Sequence, residues 1–317
     1  MRPSIEHFFE AKAVYNPCVT LENGKFKMLY RAVSGPIQVT PGIGGPCCEI
    51  SSIGYAESED GIHFKNRRFF FGPEYSWEEF GCEDPRFVKI KGKYYIFYTA
   101  VAFWPPIPRG VKAALAISED FKEYEKKGVV IPVNSKAATL FPEKIQDKYA
   151  LIFTLYPDIP PSKVVIAFFN KIEEIWNPPE GYWKEFLKYP ELEENILMEA
   201  IPPKRFVEVG APPILTDEGW LLIYPEISPE LSFSIHAMLL DLENPFKIIA
   251  RTKKPLLEPE LIYEVKGRSA GPCVFPEGAV VKDNTLFVYY GAADKYVCVA
   301  TCDFDKLLNY LLKECKV

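Results

Sequence analysis

Glu83-Asp84-Pro85-Arg86 sets two adjacent carboxylates and a guanidinium in one short stretch. Like charges side by side raise one partner's pKa, and a neighbouring Arg favours ionisation. Crowding by Glu83 is expected to hold the Asp84 proton more tightly, with Arg86 favouring ionisation of one of the two. A carboxyl poised in this way serves as a general acid. The competing reading is a loop-capping Asp with a structural Arg–carboxylate pair, since structural ion pairs also perturb titration. No metal site is expected: Cys298 and Cys302 lack a second pair at zinc-site spacing, and His63 and His236 stand alone.

The elements that must position these groups emerge from self-comparison. A Pro-containing opening loop, a short strand, a turn and an aromatic-rich strand recur five times. The copies are Asn16-Pro17-Cys18 with Asn23 to Tyr30, Asp84-Pro85-Arg86 with Lys91 to Tyr98, and Phe141-Pro142-Glu143 with Gln146 to Phe153. Pro212-Pro213-Ile214 with Asp217 to Tyr224, and Phe275-Pro276-Glu277 with Asp283 to Tyr290, complete the set. Gly, Asn or Asp bound each pair of runs, as hairpins require. In two copies the next turn nearly repeats, as Ser58-Glu59-Asp60-Gly61 and Ser118-Glu119-Asp120-Phe121. Helical periodicity is confined mainly to Phe304 to Cys315, with a second stretch around Tyr182 to Tyr189.

Five copies of about four strands predict an all-β, five-bladed β-propeller with a short C-terminal helix. It would be one domain over residues 1–317, with blades at roughly 12–80, 81–133, 134–205, 206–262 and 263–317. A doubly wound α/β fold would need a helix after every strand, for which the chain has no room. In a propeller the first strand of each blade lines the central channel, so the five opening loops should converge. The segment from Ile175 to Lys204 matches no blade strand.

Composition narrows the partners. Of 317 residues, 48% are hydrophobic and 25% charged, as in a soluble globule. A net charge of −6 without a basic stripe argues against nucleic acid. No apolar run is long enough to span a bilayer. Met1 to Glu10 lacks the cationic start and apolar stretch of a signal peptide, so a cytoplasmic location is expected. The eight cysteines, Cys47 and Cys48 among them, read mainly as small buried hydrophobes. Whether the chain forms homo-oligomers is left open.

In shared order and spacing, several motifs resemble glycoside hydrolase family 130, enzymes that cleave β-mannosides by phosphorolysis or hydrolysis. They are Asn16-Pro17 with Tyr30-Arg31-Ala32, Ser52 to Ala56 leading into Asp60-Gly61-Ile62-His63-Phe64, and Glu83-Asp84-Pro85-Arg86. Leu140 to Ile145, Gly210 to Ile214 with Gly219 to Tyr224, Val274 to Gly278, and Tyr289 to Asp294 complete the series. The resemblance covers nearly the whole chain. It implies that Asp84 is the catalytic acid, donating its proton through a sugar hydroxyl. It places Asn16, Arg31 and Asp294 around the mannosyl group, with Glu83 and Arg86 flanking the acid and Asp60 in the substrate-binding set. No cofactor is implied, apart from inorganic phosphate as co-substrate if the enzyme is a phosphorylase.

Two departures bear on the nucleophile. Lys136 matches a phosphate-gathering Lys, but the family's His-Arg pair is replaced by Phe153-Thr154-Leu155-Tyr156. Where the family has His-Gly after a Tyr, this chain has Tyr224-Pro225-Glu226. Phosphate needs several charge-assisted donors, whereas a carboxylate near the anomeric carbon suits water activation. Glu226 is the first candidate base, and Glu199 and Glu208 are weaker ones. The first reading is therefore inverting hydrolysis of β-mannosidic bonds, β-1,2 bonds foremost, in a mannose-containing oligosaccharide. The alternative is a phosphorylase of the same family, using Lys136, Arg31 and Arg86 for phosphate and releasing mannose 1-phosphate. A non-catalytic sugar-binding propeller is a further alternative. An arabinanase- or invertase-like furanosidase is disfavoured by Asn16, which stands where those enzymes carry an Asp.

Overall fold

The computed structural model describes residues 1–38 and 47–317. Its strands form five antiparallel runs, each with neighbours in chain order paired. The first comprises β1 (Ala13–Glu22), β2 (Lys25–Gln38), β3 (Cys47–Ser58) and β4 (Lys65–Phe71). The second comprises β5 (Gly81–Ile90), β6 (Lys93–Val101), β7 (Val111–Ser118) and β8 (Glu125–Val129). A parallel pairing of Ser51 with Gly81 joins these two runs into one eight-stranded sheet. The third has β9 (Ser135–Leu140), β10 (Tyr149–Leu155), β11 (Lys163–Phe169) and β12 (Ile196–Glu199), and the fourth β13 (Ile214–Thr216), β14 (Gly219–Ile227), β15 (Phe233–Leu240) and β16 (Ile248–Arg251). The fifth has β17 (Val274–Lys282), β18 (Thr285–Ala292) and β19 (Tyr296–Asp303). At its open side the Val297 amide donates to the Met1 carbonyl at 3.2 Å.

Local sequence explains the hairpins. Asn23-Gly24, Lys91-Gly92 and Asp283-Asn284 each form a two-residue loop, and all six residues have positive φ, from 47° to 83°. This mirror-image turn matches the strand twist, and Asn, Asp and Gly tolerate it. The repeated outer turns close on their own side chains. Ser58 Oγ accepts from the amides of Asp60 and Gly61, and Ser118 Oγ from that of Phe121.

Apolar packing links the runs in sequence. One cluster joins Leu29, Ile53 and Tyr55 to Phe87, Ile96 and Tyr98, bridging runs one and two. Others bridge runs two and three (Phe97, Leu115 with Leu151, Phe153), three and four (Ile152, Ile166 with Leu222, Met238), and four and five (Ile223, Leu239 with Val288, Tyr290). A fifth joins Phe26, Met28 and Tyr30 of run one to Phe287, Tyr289 and Val297 of run five. The helix Phe304–Glu314 starts where the Asp303 carboxylate accepts from the Lys306 amide, and it buries Leu307, Leu308 and Leu311. Residues 175–204 close over the third run: Tyr182–Phe186 is a short helix whose Trp183 packs edge-on and whose Phe186 packs tilted against Phe153. Cys18, Cys48, Cys82, Cys273 and Cys315 are buried and Cys302 is exposed, while the Cys47 side chain lies outside the described residues.

The third repeat is a correction. Pro142 lies beyond the end of β9 rather than at its start. Pairing of Thr154 with Lys136 shows that Lys136-Ala137-Ala138 takes the place expected for that opening loop. The mismatch arose because Ala137 and Ala138 carry no Pro signal, whereas Phe141-Pro142 does.

Candidate active site

Four first strands are interrupted at matching places. The ladder slips between Tyr15 and Pro17, between Glu83 and Arg86, opposite Ile152 and Thr154, and between Pro276 and Gly278. Asn16, Asp84 and Ala137 consequently adopt φ of 50°, 53° and 52°. Bulges of this kind leave one residue unpaired and re-aim its side chain, and Asn and Asp bear positive φ at low cost. Here they turn Asn16 and Asp84 toward each other across two runs: Asn16 Nδ2 donates to Asp84 Oδ1 at 2.8 Å. The approach requires glycine at 291, because a Cβ there would stand 2.2 Å from Asn16 Oδ1.

Arg31, from the middle of β2, holds both carboxylates, reaching Glu83 at 2.5 Å and Asp84 at 3.2 Å. Ser51 links Arg31 Nε to Glu83, and the Tyr15 ring lies 4.8 Å from the guanidinium. Beneath them, fully buried Arg86 donates to Glu277 at 3.0 Å and to the carbonyls of Gly210 and Val209. Its contact with Asp84 is to the backbone carbonyl at 3.3 Å, so it holds the bulge and not the carboxylate. Lys136 pairs with Glu208 at 3.1 Å.

Electrostatics reverse one expectation. Burial alone would push Asp84 up, but Arg31, Arg86, Lys136 and the Asn16 hydrogen bond outweigh it and hold its carboxyl below the ordinary value. Glu83 moves the other way: burial and the Asp84 charge raise it despite Arg31. The upward shift expected for Asp84 thus falls on its neighbour. Burial also raises Glu208, Asp294 and Glu277, in each case against the pull of nearby cations. Asp294 feels Arg31, Asp84 and Lys136 and so belongs to the same group.

The structure therefore brings together Asn16, Arg31, Glu83, Asp84, Arg86, Lys136 and Asp294. It leaves Asp60 apart: that carboxylate is half exposed at an outer turn, where it accepts from the amides of Ile62 and His63 and pairs with the His63 ring. Its sequence match reflects turn chemistry. Glu226 also stands outside the group. It pairs with Lys204 and, at 2.8 Å, with Arg251, lining a cavity of about 520 Å³ with Tyr224, Met198 and Phe206. Burial would raise its pKa, but Lys204, His236 and Arg251 prevail and hold it down. Its charge is therefore compensated, which removes the expected repulsion of phosphate. Glu199 is likewise paired, with Lys163.

Sequence reasoning missed Tyr15, Ser51 and Glu277 as parts of the site. Glu277 had a signal, because it occupies the bulge in the fifth repeat. Nothing local marks Ser51, whose role depends on pairing between runs.

Residues 6–313 match the Glyco_hydro_130 family, described as β-1,4-mannooligosaccharide phosphorylase. Two Thermoanaerobacter sp. (strain X514) proteins are similar throughout. A 1,2-β-oligomannan phosphorylase is 38% identical, covering 95% of this chain and 93% of its own, and a β-1,2-mannobiose phosphorylase is 34% identical, covering 97% and 95%. The solved β-1,2-mannobiose phosphorylase of Listeria innocua, in complex with β-1,2-mannobiose, superposes with a TM-score of 0.78 at 26% identity, covering 95% of this chain and 92% of that one.

Proposed function

Since the chain belongs to glycoside hydrolase family 130 and is an enzyme of the glycosidase or glycoside phosphorylase type, we propose that it is a phosphorylase that cleaves β-1,2-linked mannooligosaccharides with inorganic phosphate, releasing mannose 1-phosphate. The observation that carries this reading is the likeness, over nearly the whole of both chains, to a 1,2-β-oligomannan phosphorylase. Charge compensation at Glu226 supports it, because the hydrolytic reading leaned on that carboxylate as a free base.

The roles follow from what each group can still offer. Asp84 gives its proton, by way of a sugar hydroxyl, to the departing sugar oxygen as the C1–O bond breaks. Phosphate oxygen attacks C1 from the opposite face, so configuration inverts. Asn16 and Arg31 fix the Asp84 carboxylate, and Asp294 faces the mannosyl unit. Lys136 and Arg31 are the cations open enough to meet phosphate, with side chains 27% and 18% exposed. Arg86 is withdrawn from that role because it is buried and occupied by Glu277 and two carbonyls. A proton must reach Asp84 before each turnover. Dianionic phosphate beside Lys136 draws on the positive charge that depresses Asp84, raising its pKa as the substrates assemble.

The scaffold for this site is proposed to be a single five-bladed propeller over residues 1–317, with blades near 12–80, 81–133, 134–205, 206–262 and 263–317. The cyclic order of the five apolar clusters supports it, as does the Met1–Val297 pairing beside the last run.

The test is incubation with β-1,2-mannobiose and β-1,2-mannotriose, with and without phosphate. Mannose 1-phosphate is expected only when phosphate is present. Free mannose formed at the same rate without phosphate would restore hydrolysis as the reaction.

A further inference from the structure

At the end of the second run where β5 starts and β6 finishes, a cavity of about 490 Å³ is walled by Trp77, Phe103, Trp176 and Trp183, with Arg109 and Lys112 at its sides. We propose that this cavity is a distal subsite that holds mannosyl units of a long oligomannoside while its terminal bond lies at Asp84. The inference rests on the mannoside phosphorylase reading and names where the rest of the substrate chain is held.

Its position comes from the register. Gly81 pairs with Val101 and Glu83 with Thr99, so the loop that follows Val101 leaves the sheet at the end that carries Glu83 and Asp84. Lys112 faces Ala100 at the start of β7, and Val129 of the cavity wall pairs with Ala114 at the end of β8, both at this same end. The cavity therefore lies toward the outer strands of the run whose innermost strand bears the acid. With neighbouring strands about 4.8 Å apart, that is a lateral offset of roughly 10–15 Å, the reach of a short oligosaccharide and not of a single sugar.

The loop that forms the cavity is anchored. Buried Asn134 donates to the carbonyls of Pro108 and Val111 at 3.0 and 3.3 Å and to the Asp158 carboxylate at 2.8 Å. Asn134 immediately precedes β9 and lies two residues before Lys136, so the loop and the proposed phosphate cation are held by one short segment. Trp183 is fixed in the core, and Trp77 stacks on Tyr75 with ring centroids 4.2 Å apart. Phe103 is 40% exposed despite this setting, with the Arg109 guanidinium 5.0 Å from its ring. Among the described residues neither Arg109 nor Lys112 has an ion-pair partner.

Four rings and two unpaired cations in one hollow suit a ligand with apolar flat faces and a hydroxyl rim. Pyranose rings have that character: their C–H faces stack on aromatic rings, and their hydroxyls accept from guanidinium and ammonium groups. The net charge of −6 disfavours a polyanionic chain as occupant.

The test compares Phe103→Ala and Arg109→Ala with the unsubstituted full-length enzyme on β-1,2-mannobiose and on chains of four or more mannoses. The expected result is unchanged kcat/KM on mannobiose and a loss of about tenfold on the longer chains, with KM carrying the change. An equal effect at every length, or none at any length, overturns the proposal. Binding is read separately in Asp84→Asn protein by tryptophan fluorescence, since three of the five tryptophans wall the cavity. Long chains should change the emission, mannobiose should not, and Phe103→Ala should abolish the response. If no β-1,2-mannoside is cleaved by the parent enzyme, the functional reading fails. The fluorescence titration still decides whether the cavity holds the chain.

Discussion

Asp84 and Glu226 are both carboxylates paired with cations, yet their surroundings differ in composition. Around Asp84 stand Glu83, Glu208, Glu277 and Asp294, with Arg31, Arg86 and Lys136 among them. Around Glu226 stand Lys204, Arg251 and His236, which together hold its pKa down. In the first group acids outnumber bases, and Glu83, Glu208, Glu277 and Asp294 are all shifted toward holding their protons. In the second, one carboxylate is compensated by two cations and has no reason to take up a proton near neutral pH. A carboxylate's neighbours, more than its own position, decide whether it can act as an acid.

The sharpest way to break this comparison is to open the layer beneath Asp84. Arg86→Met leaves buried Glu277 without its cation and two carbonyls without donors, and should cost about 3–5 kcal/mol of stability. Chemical denaturation measures it. Adding Glu277→Gln should recover part of the loss, and a double variant no better than the single one would mean that the pair is not coupled.

Asp84→Asn keeps shape and removes the titrating group, so turnover should fall at least ~10²-fold while folding persists. Retention of more than half the parental rate on the best substrate would remove Asp84 as the acid. For Glu226→Gln the effect should be smaller, under about tenfold in kcat/KM, because the pairs it forms are partly exposed. Abolished activity would instead return Glu226 to the reaction.

The gentlest contrast is in pH dependence. Glu83, Glu208, Glu277 and Asp294 have folded pKa values above their unfolded ones, so the folded state binds more protons. Their contribution is therefore present at low pH and declines as pH rises from the ordinary carboxylate range through the raised values. Asp84 and Glu226 act in the opposite sense, losing their contribution as pH falls below that range. Thermal midpoints across pH 4–8 should show Glu208→Gln flattening the decline on the alkaline side, with Glu226→Gln flattening the acid side. A Glu208→Gln profile parallel to the parent would contradict the raised value.

Much of this was legible before any coordinates. Hairpin loops such as Asn23-Gly24 and the capped turn at Ser58 depend on local chemistry, and the C-terminal helix announces itself by Asp303 and the spacing of Leu307, Leu308 and Leu311. The Asp84 centre was legible because Glu83-Asp84-Pro85-Arg86 is contiguous. What escaped depends on contacts between runs. The direction of the Asp84 shift is set by Arg31, whose reach across strands no spacing reveals. Glu226 looked free because its partners, Lys204 and Arg251, lie 22 and 25 residues away. Pro142 misled because proline marks a loop without saying which end of a strand it bounds.

Arg86 also says something about how the enzyme comes into being. Its partners lie 124 and 191 residues further along the chain, at Gly210 and Glu277. Closing such loops is entropically costly, and contacts of this separation slow folding more than they weaken the final state. During synthesis the strand that carries Asp84 and Arg86 exists long before Glu277, which anchors the Arg86 guanidinium, has been made. Catalytic competence must therefore arrive last, after most of the sheet has formed. In a refolding experiment, activity should recover later than circular dichroism, and a chain ending before Glu277 should have strands without an enzyme.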